Sequence, residues 1–385
     1  TNCILHLGWD AKKDKYSMTT FLEIKNMFDE LCENRKIPDI DLFINPKDFP
    51  ILKKNLTEPF NHVFNTDNKK MENVYSNEDR KYYPILSFNS NEHSADIPIP
   101  TNQEWQTITK KIYPSRCDTF FNKDPTELQW SKKKPIAVFR GKSTGCSMDI
   151  KTNPRLHISL LDKEWKDMGD SNLMDAGITS FALHTTTEEG SEEFKKGKDK
   201  TWQQDILNQI GDKRDRINMN EQSKFKYIIN IEGNSAAYRL SYLIKMGSLI
   251  LNVKSENTLW WESIWKPYKI GKTRRPQKPT ENECYIEIDH NLSNLKSVIQ
   301  WCQTNDDICE QIAHNALAFG KKYVSKEGVF DYLELIIQKI IAKREPQPYK
   351  VNIIVPFRDL SPEMKEKITD DRQDRGKQLI KFTLP

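Results

Sequence analysis

The residues with the clearest chemical logic are Glu232-Gly233-Asn234-Ser235, followed by Arg239. Free backbone N–H groups where a helix starts, reinforced by the helix dipole, attract phosphate. A guanidinium one turn further on can close on a diphosphate with two parallel hydrogen bonds. That chemistry needs a strand to deliver the turn and a helix to follow it. Tyr227–Ile231 is a short apolar, β-branched run that reads as a buried strand. Asn234 and Ser235 are good helix N-caps, and Ala236, Leu240, Leu243 and Ile244 recur on one helical face. Gly247 fits a helix C-cap and Leu249–Val253 a second buried strand. Strand, turn, helix and strand make a βαβ crossover, the unit of a parallel sheet.

Three further spellings invite chemistry. Gly141-Lys142-Ser143-Thr144 looks like the end of a Walker A loop, but that motif needs glycine where this chain has Ile136, which argues against a P-loop phosphotransferase. Asp39-Ile40-Asp41 has the form of a metal-binding pair, without a nucleotide-binding context around it. Trp260, Trp261 and Trp265 can stack on a sugar or base, or equally serve as packing.

Taken together, several segments resemble glycosyltransferase family 90, the protein O-glucosyltransferases and fungal capsule-associated xylosyltransferases. The likeness is carried by Lys224-Phe225-Lys226-Tyr227 with its strand, Gly233, Arg239-Leu240 and Met246-Gly247-Ser248-Leu249-Ile250. It extends to Val138-Phe139-Arg140-Gly141-Lys142-Ser143-Thr144, to Asn153-Pro154-Arg155, and to Ser94-Ala95-Asp96-Ile97-Pro98-Ile99-Pro100. Trp301 with Asn305-Asp306-Asp307 completes it. The loop after Ser143-Thr144 diverges and the region between Leu173 and Lys224 matches poorly, places where sugar or acceptor specificity could be set.

The resemblance implies an α/β fold of the GT-B type, two Rossmann-like domains facing across a cleft. It implies transfer of glucose or xylose from UDP-glucose or UDP-xylose to a protein or glycan hydroxyl, with inversion. Asp96 would be the general base, on an exposed loop stiffened by its prolines. Arg140, Gly141, Ser143, Thr144, Arg155, Lys226, Gly233, Asn234, Ser235 and Arg239 would bind the donor. Fixed positive groups would then serve where other enzymes use a metal, so none is expected in this portion. The rival reading is a non-catalytic GT-B module that holds a glycan or nucleotide.

Composition sets the outer limits. The chain has 385 residues, 37% of them apolar, enough for two domains with real cores. Its 59 basic and 55 acidic side chains nearly balance and form no dense basic block, so no nucleic-acid partner is implied. No apolar run is long enough to span a membrane. Seven cysteines without a CxxC pair leave at least one thiol free, which favours a reducing compartment such as the cytoplasm, while the resemblance admits the endoplasmic reticulum lumen.

Along the chain, residues 1–130 read as an acceptor-side Rossmann-like domain. It has a strand at Cys3–Leu7, a helix marked by Met18, Phe21, Ile24, Phe28 and Leu31, and strands at Ile40–Ile44 and Ile85–Phe88. Ser131–Pro135 is the boundary, and residues 131–345 form the donor-binding domain, opened by a strand at Ile136–Phe139. Residues 187–221 read as a solvated loop and exposed helix. Two amphipathic helices, one through Ile308, Ile312, Ala316 and Phe319, the other through Val329, Leu333, Ile336, Ile337 and Ile340, should pair near the end. Residues 346–385 are a tail or the start of a second domain. Their Ile353-Ile354-Val355-Pro356-Phe357-Arg358 resembles the opening strand of a metal-using GT-A galactosyltransferase, which suggests a fused second glycosyltransferase.

Overall fold

The computed structural model describes residues 15–52, 54, 84–109, 128–145, 147–182, 199–271, 276–343, 353–356 and 379–382. Its strands are β1 (Phe43–Asn45), β2 (Ile85–Ser87), β3 (Ile97–Pro98), β4 (Lys134–Lys142), β5 (Met174–Ser180), β6 (Phe225–Asn230), β7 (Leu249–Val253), β8 (Lys266–Pro267), β9 (Glu283–Ile288), β10 (Ile353–Pro356) and β11 (Leu379–Phe382). The expected strand at Cys3–Leu7 lies outside the described residues.

Strands β1, β2 and β3 form one small sheet, parallel throughout. A six-stranded sheet has the order β5-β4-β6-β7-β9-β8, again with every pair parallel. The β6–β7 pairing is the crossover expected from the sequence, with Tyr227 opposite Leu249 and Asn230 opposite Asn252. All six residues of β6 are buried, as a central strand covered on both faces requires. On one face Phe139, Tyr227, Ile229, Leu251 and Ile286 pack with Val298 and Ile312 from the helices Leu295–Thr304 and Asp306–Lys322. A second cluster, beside β5, is formed by Leu156, Ile178, Trp202 and Ile206, from the helices Pro154–Asp167 and Lys200–Ile210 and from β5. Each such side chain contributes about 1.5–3 kcal/mol on leaving water.

Two compact units are present. One is Pro38–Leu333; the other joins Thr1–Ile37 to Glu334–Pro385. Within the second, the described elements are the helix Lys15–Asn34, the end of the helix Lys326–Lys343, and an antiparallel β10–β11 pair. The strand expected near residues 350–358 therefore forms as β10, paired with β11 and with neither parallel sheet.

Both parallel sheets lie in the unit Pro38–Leu333, and their strand carboxyl ends meet along a seam. This is the α/β architecture of the GT-B type that the resemblance implies. Past β2, Ser90 forms an antiparallel bridge to Thr258, past β7, with N···O distances of 3.1 and 2.8 Å. The Tyr242 hydroxyl donates to the Gln103 carbonyl at 2.7 Å, and that of Tyr332 to the Pro98 carbonyl at 2.6 Å.

The seam's buried anchor is Glu104, only 1% exposed, in the helix Asn102–Thr109. Its Oε2 accepts from the Thr101 N–H while its own N–H donates to the Thr101 hydroxyl, a capping box. Its Oε1 accepts from both indoles, Trp260 at 3.3 Å and Trp261 at 3.2 Å. Burial raises its carboxyl, against the hydrogen bonds it receives from Thr101, Trp261 and Trp260. Trp260 and Trp261 are thus held by Glu104, and Trp261 packs edge to face on Trp265.

The helix after β6 departs from expectation. Instead of starting at Asn234-Ser235, it runs only Leu240–Leu243, with Arg239 at its N-cap and no side-chain cap. The Gly233 N–H is turned to the Ser235 carbonyl and Asn234 Oδ1 accepts from the Gly145 N–H, so residues 233–235 form a bent loop. A four-residue helix offers no phosphate-binding terminus of its own.

Replacing Glu104 by alanine strands two indole N–H groups and one backbone N–H in the interior. We expect a loss on the order of 3 kcal/mol in urea unfolding, with an unchanged m-value. A loss under about 1 kcal/mol would show that Glu104 is not the anchor of the seam.

Candidate functional site

The carboxyl ends of β4 and β6 diverge, and Arg155 fills the space between them. Asn153 caps the helix Pro154–Asp167 with its side chain, accepting from the backbone N–H groups of Arg155 and Leu156, and Pro154 sits in the first turn. From that fixed start the Arg155 guanidinium donates to four acceptors. These are the carbonyls of Glu232 at 2.7 Å, Ile231 at 2.9 Å and Lys142 at 3.2 Å, and the Thr144 hydroxyl at 2.6 Å. Burial, then the charge of Arg239, push it down to about 9; Glu232 opposes.

Arg239 is the second guanidinium. It lies over the Phe139 ring at 5.1 Å, and its Nη1 donates to the Arg140 carbonyl at 2.5 Å. Its Nε and Nη2 are buried and have no partner among the described residues. Burial lowers it to about 10. Two adjacent buried cations, one of them with unspent donors, are costly unless an anion completes them.

Gly233 lies against this pair. A Cβ there would meet Thr144 Oγ1 at 2.9 Å and Arg155 Nη2 at 3.2 Å, so glycine is required for the close approach. At Gly141 a Cβ would meet Phe139 at 2.9 Å, beneath the same guanidiniums. Thr144, Arg155, Gly233, Asn234 and Arg239 are thus brought together, with Gly141 behind them.

Other expected donor ligands sit elsewhere. Arg140 turns to β5 and pairs with both carboxylate oxygens of Asp175 at 2.9 and 2.8 Å, and also donates to the carbonyls of Phe139, Asp175 and Asp215. Lys226, near the start of β6, is held at the sheet's opposite end by both oxygens of Asp306, at 2.7 and 2.8 Å. The family-like Asn-Asp pair therefore supports the fold here. Ser143 is fully buried, its hydroxyl accepting from the Ala182 N–H. Ser235 is also buried, 3.4 Å from the Tyr238 hydroxyl.

Asp96 also departs from expectation. It is 5% exposed, and its carboxylate accepts from Ile51 N–H at 3.0 Å, Leu52 N–H at 2.6 Å and the Ser87 hydroxyl at 2.5 Å. Those bonds fasten the loop after β1 to the ends of β2 and β3.

That loop carries a residue the sequence reading passed over, Asp48. Its carbonyl accepts from Asn89 Nδ2 at 2.7 Å and from the Tyr238 hydroxyl at 3.1 Å, beside Arg239 in the chain. Asn89 Nδ2 also reaches that hydroxyl, at 2.8 Å. The Asp48 side chain is solvent-open, yet burial still raises its carboxyl. Burial, and the nearby charge of Asp48, raise the Tyr238 phenol. The signal was the setting of Asp48, in a Pro-bounded turn directly past a strand.

The arrangement suits an anion at the paired arginines, with a carboxylate base across the seam. Because Arg239 is under-satisfied, Arg239→Met should stabilise the ligand-free protein while abolishing pyrophosphate binding. Calorimetry and a melting curve on the same variant test this. A lower melting temperature with pyrophosphate binding retained would make Arg239 a structural residue.

The family model "Glycosyl transferase family 90" matches residues 13–378, a span that takes in β10. The uncharacterized protein 179R of Invertebrate iridescent virus 6 is 33% identical over 373 residues, covering 88% of this chain and 29% of that protein. Protein O-glucosyltransferase 3 of Mus musculus is 23% identical over 336 residues, covering 86% of this chain and 54% of that protein. HepE of Anabaena, solved in complex with UDP and glucose, has a TM-score of 0.36 at 9% identity, over 82% of this chain and 75% of that one. The chain thus spans between 29% and 54% of the length of these two relatives.

Proposed function

The chain belongs to glycosyl transferase family 90, and from that premise we propose that it moves a sugar from a UDP-sugar to an acceptor hydroxyl with inversion. The donor is UDP-glucose or UDP-xylose, and the acceptor a protein or glycan. In this reading residues 131–345 hold the donor and residues 1–130 the acceptor side. The observation that carries the proposal is the pair of unpartnered N–H groups on Arg239, beside Arg155. A diphosphate supplies the missing acceptors and the missing negative charge together.

In the reaction the acceptor oxygen forms a bond to the anomeric carbon as that carbon's bond to the β-phosphate oxygen breaks. The electron pair leaves with UDP, whose growing charge Arg239 and Arg155 stabilise from fixed positions. No metal is needed for that task in this reading. The acceptor proton goes to a carboxylate. We assign that role to Asp48 in place of Asp96. The Ile51, Leu52 and Ser87 donors to Asp96 serve the fold, whereas the Asp48 carboxylate is solvent-open beside Tyr238, with its proton affinity raised by burial.

Asp48→Asn should lower transfer to an acceptor by roughly 10²-fold or more, with UDP affinity and melting temperature unchanged. Asp96→Asn should lower the melting temperature, because three donors lose their carboxylate. If Asp48→Asn keeps its turnover and Asp96→Asn loses it at unchanged stability, the base is Asp96. Absence of any UDP-sugar turnover, transfer or hydrolysis, by the unaltered chain favours the non-catalytic binding module.

A further inference from the structure

Beside the arginine pair lies a second, chemically different hollow of about 190 Å³, well beyond the share of a single water, about 30 Å³. It opens at the carboxyl ends of β6, β7 and β9, lined among others by Asn230, Glu232, Asn252, Glu262, Trp265 and Tyr285. Ala237 and Leu240, which bracket Arg239 in the chain, also line it. Two deeply buried residues of its lining carry polar atoms without a partner among the described residues. Asn230 is 4% exposed with its Oδ1 unpartnered, and Trp265 is 3% exposed with its indole N–H unpartnered. One is an acceptor and the other a donor, so the hollow suits a ligand that carries both. Trp265 is stacked on Tyr285 at 3.9 Å, which makes that wall flat and rigid.

We infer that this hollow takes the base of the donor nucleotide, and that Glu262 selects uracil there by offering one donor and one acceptor side by side. The inference rests on the UDP-sugar reading above. Among the described residues, Glu262 receives a single hydrogen bond, from the Leu259 N–H at 3.2 Å, so its carboxyl edge is largely unspent. Glu232, by contrast, is engaged by the Ser255 hydroxyl and by Asn257 Nδ2 at 3.1 Å. The charged and titratable groups around Glu262 are mostly acidic: Glu104, Glu232 and Glu287, with Tyr285, against Lys254 in the lining and Lys266, whose ammonium donates to the Ser263 carbonyl. Burial, then Glu104 and Glu232, push Glu262 up to about 8, so it is protonated at pH 7.

A protonated carboxyl has an O–H donor next to a carbonyl acceptor. The edge of uracil has an N–H donor next to a carbonyl acceptor, its complement. The ionised carboxylate has acceptors only and matches the adjacent N–H donors of guanine instead. Base selection therefore depends on the proton held by Glu262.

The test is titration calorimetry of the 385-residue chain with UDP, GDP and pyrophosphate at pH 7 and pH 9. UDP affinity should fall roughly tenfold between the two, because the protonated fraction of Glu262 falls by that factor. Glu262→Gln keeps a donor and an acceptor at every pH. That variant should bind UDP at pH 7 as the parent does and lose the extra pH dependence. An equal loss in parent and variant would assign the effect to uracil or the arginines and overturn the inference, as would a parent affinity that does not change. GDP binding as well as UDP at pH 7, with pyrophosphate bound, overturns the base assignment alone. Failure of pyrophosphate to bind overturns the UDP-sugar reading itself.

Discussion

The site depends on one buried cation. The Arg155 guanidinium closes the gap between the ends of β4 and β6 by donating to three carbonyls and a hydroxyl. All four acceptors are neutral, so its hydrogen bonds are satisfied while its charge is not. Placing Arg239 beside it compounds that imbalance, and each lies against the same ring of Phe139, at 6.0 and 5.1 Å. The fold tolerates two uncompensated cations there because the strands, the capped helix at Asn153 and the close approach at Gly233 hold them in place. A site so held needs little reorganisation when charge develops on a leaving group.

What faces those cations is fixed from the small sheet. Asp96 ties down the loop after β1, and the same loop gives the Asp48 carbonyl to Tyr238 and Asn89. Tyr238 precedes Arg239 directly, so the position of the loop and that of the guanidinium are linked through one backbone step. Glu104 and the Ser90–Thr258 bridge hold the seam on either side of that contact. The proposed base and the proposed phosphate ligand are thereby positioned by buried polar bonds, whose geometry is more exacting than apolar contact.

Local pattern made the sheet legible. Apolar runs at Leu249–Val253 and around Ile136–Phe139 became strands, the latter extended to Lys134–Lys142, and the crossover from β6 to β7 formed as expected. The first described helix and the two amphipathic helices after residue 305 also formed where periodicity put them. The site was less legible, because what a charged side chain does depends on distant partners. Arg140 and Arg155 are equally good candidates in sequence, yet Asp175 lies beside one and only neutral acceptors beside the other. Lys226 looked like a ligand until Asp306, eighty residues on, took its ammonium. The helix expected at Asn234-Ser235 gave way because tertiary bonds bend those residues, an influence that cap preference does not register. Of the seven cysteines, Cys32, Cys284, Cys302 and Cys309 are free thiols, and the others lie outside the described residues.

The distribution of unmet hydrogen bonds separates scaffold from site. At the amino end of the six-stranded sheet, Lys133 is buried without a counter-charge and burial lowers it to about 8, yet its ammonium reaches the carbonyls of Ser223 and Met246 and the Ser248 hydroxyl. Lys226 is paired there too. At the carboxyl ends and along the seam the accounting is left open. Among the described residues, Asn89, Asn230, Arg239 and Trp265 all carry buried polar atoms without partners; His157, Asn220 and Tyr227 do so elsewhere. A fold selected for stability alone would close such gaps, since each costs about 1–3 kcal/mol. Their concentration where two parallel sheets present their carboxyl ends is what a ligand site requires, because the ligand supplies the missing partners. The two halves of that region differ in sign as well, with arginines at the ends of β4 and β6 and, in the hollow, the carboxylates of Glu232 past β6, Glu262 past β7 and Glu287 in β9. A ligand anionic at one end and hydrogen-bonding at the other satisfies both halves in one orientation, and reversed it satisfies neither.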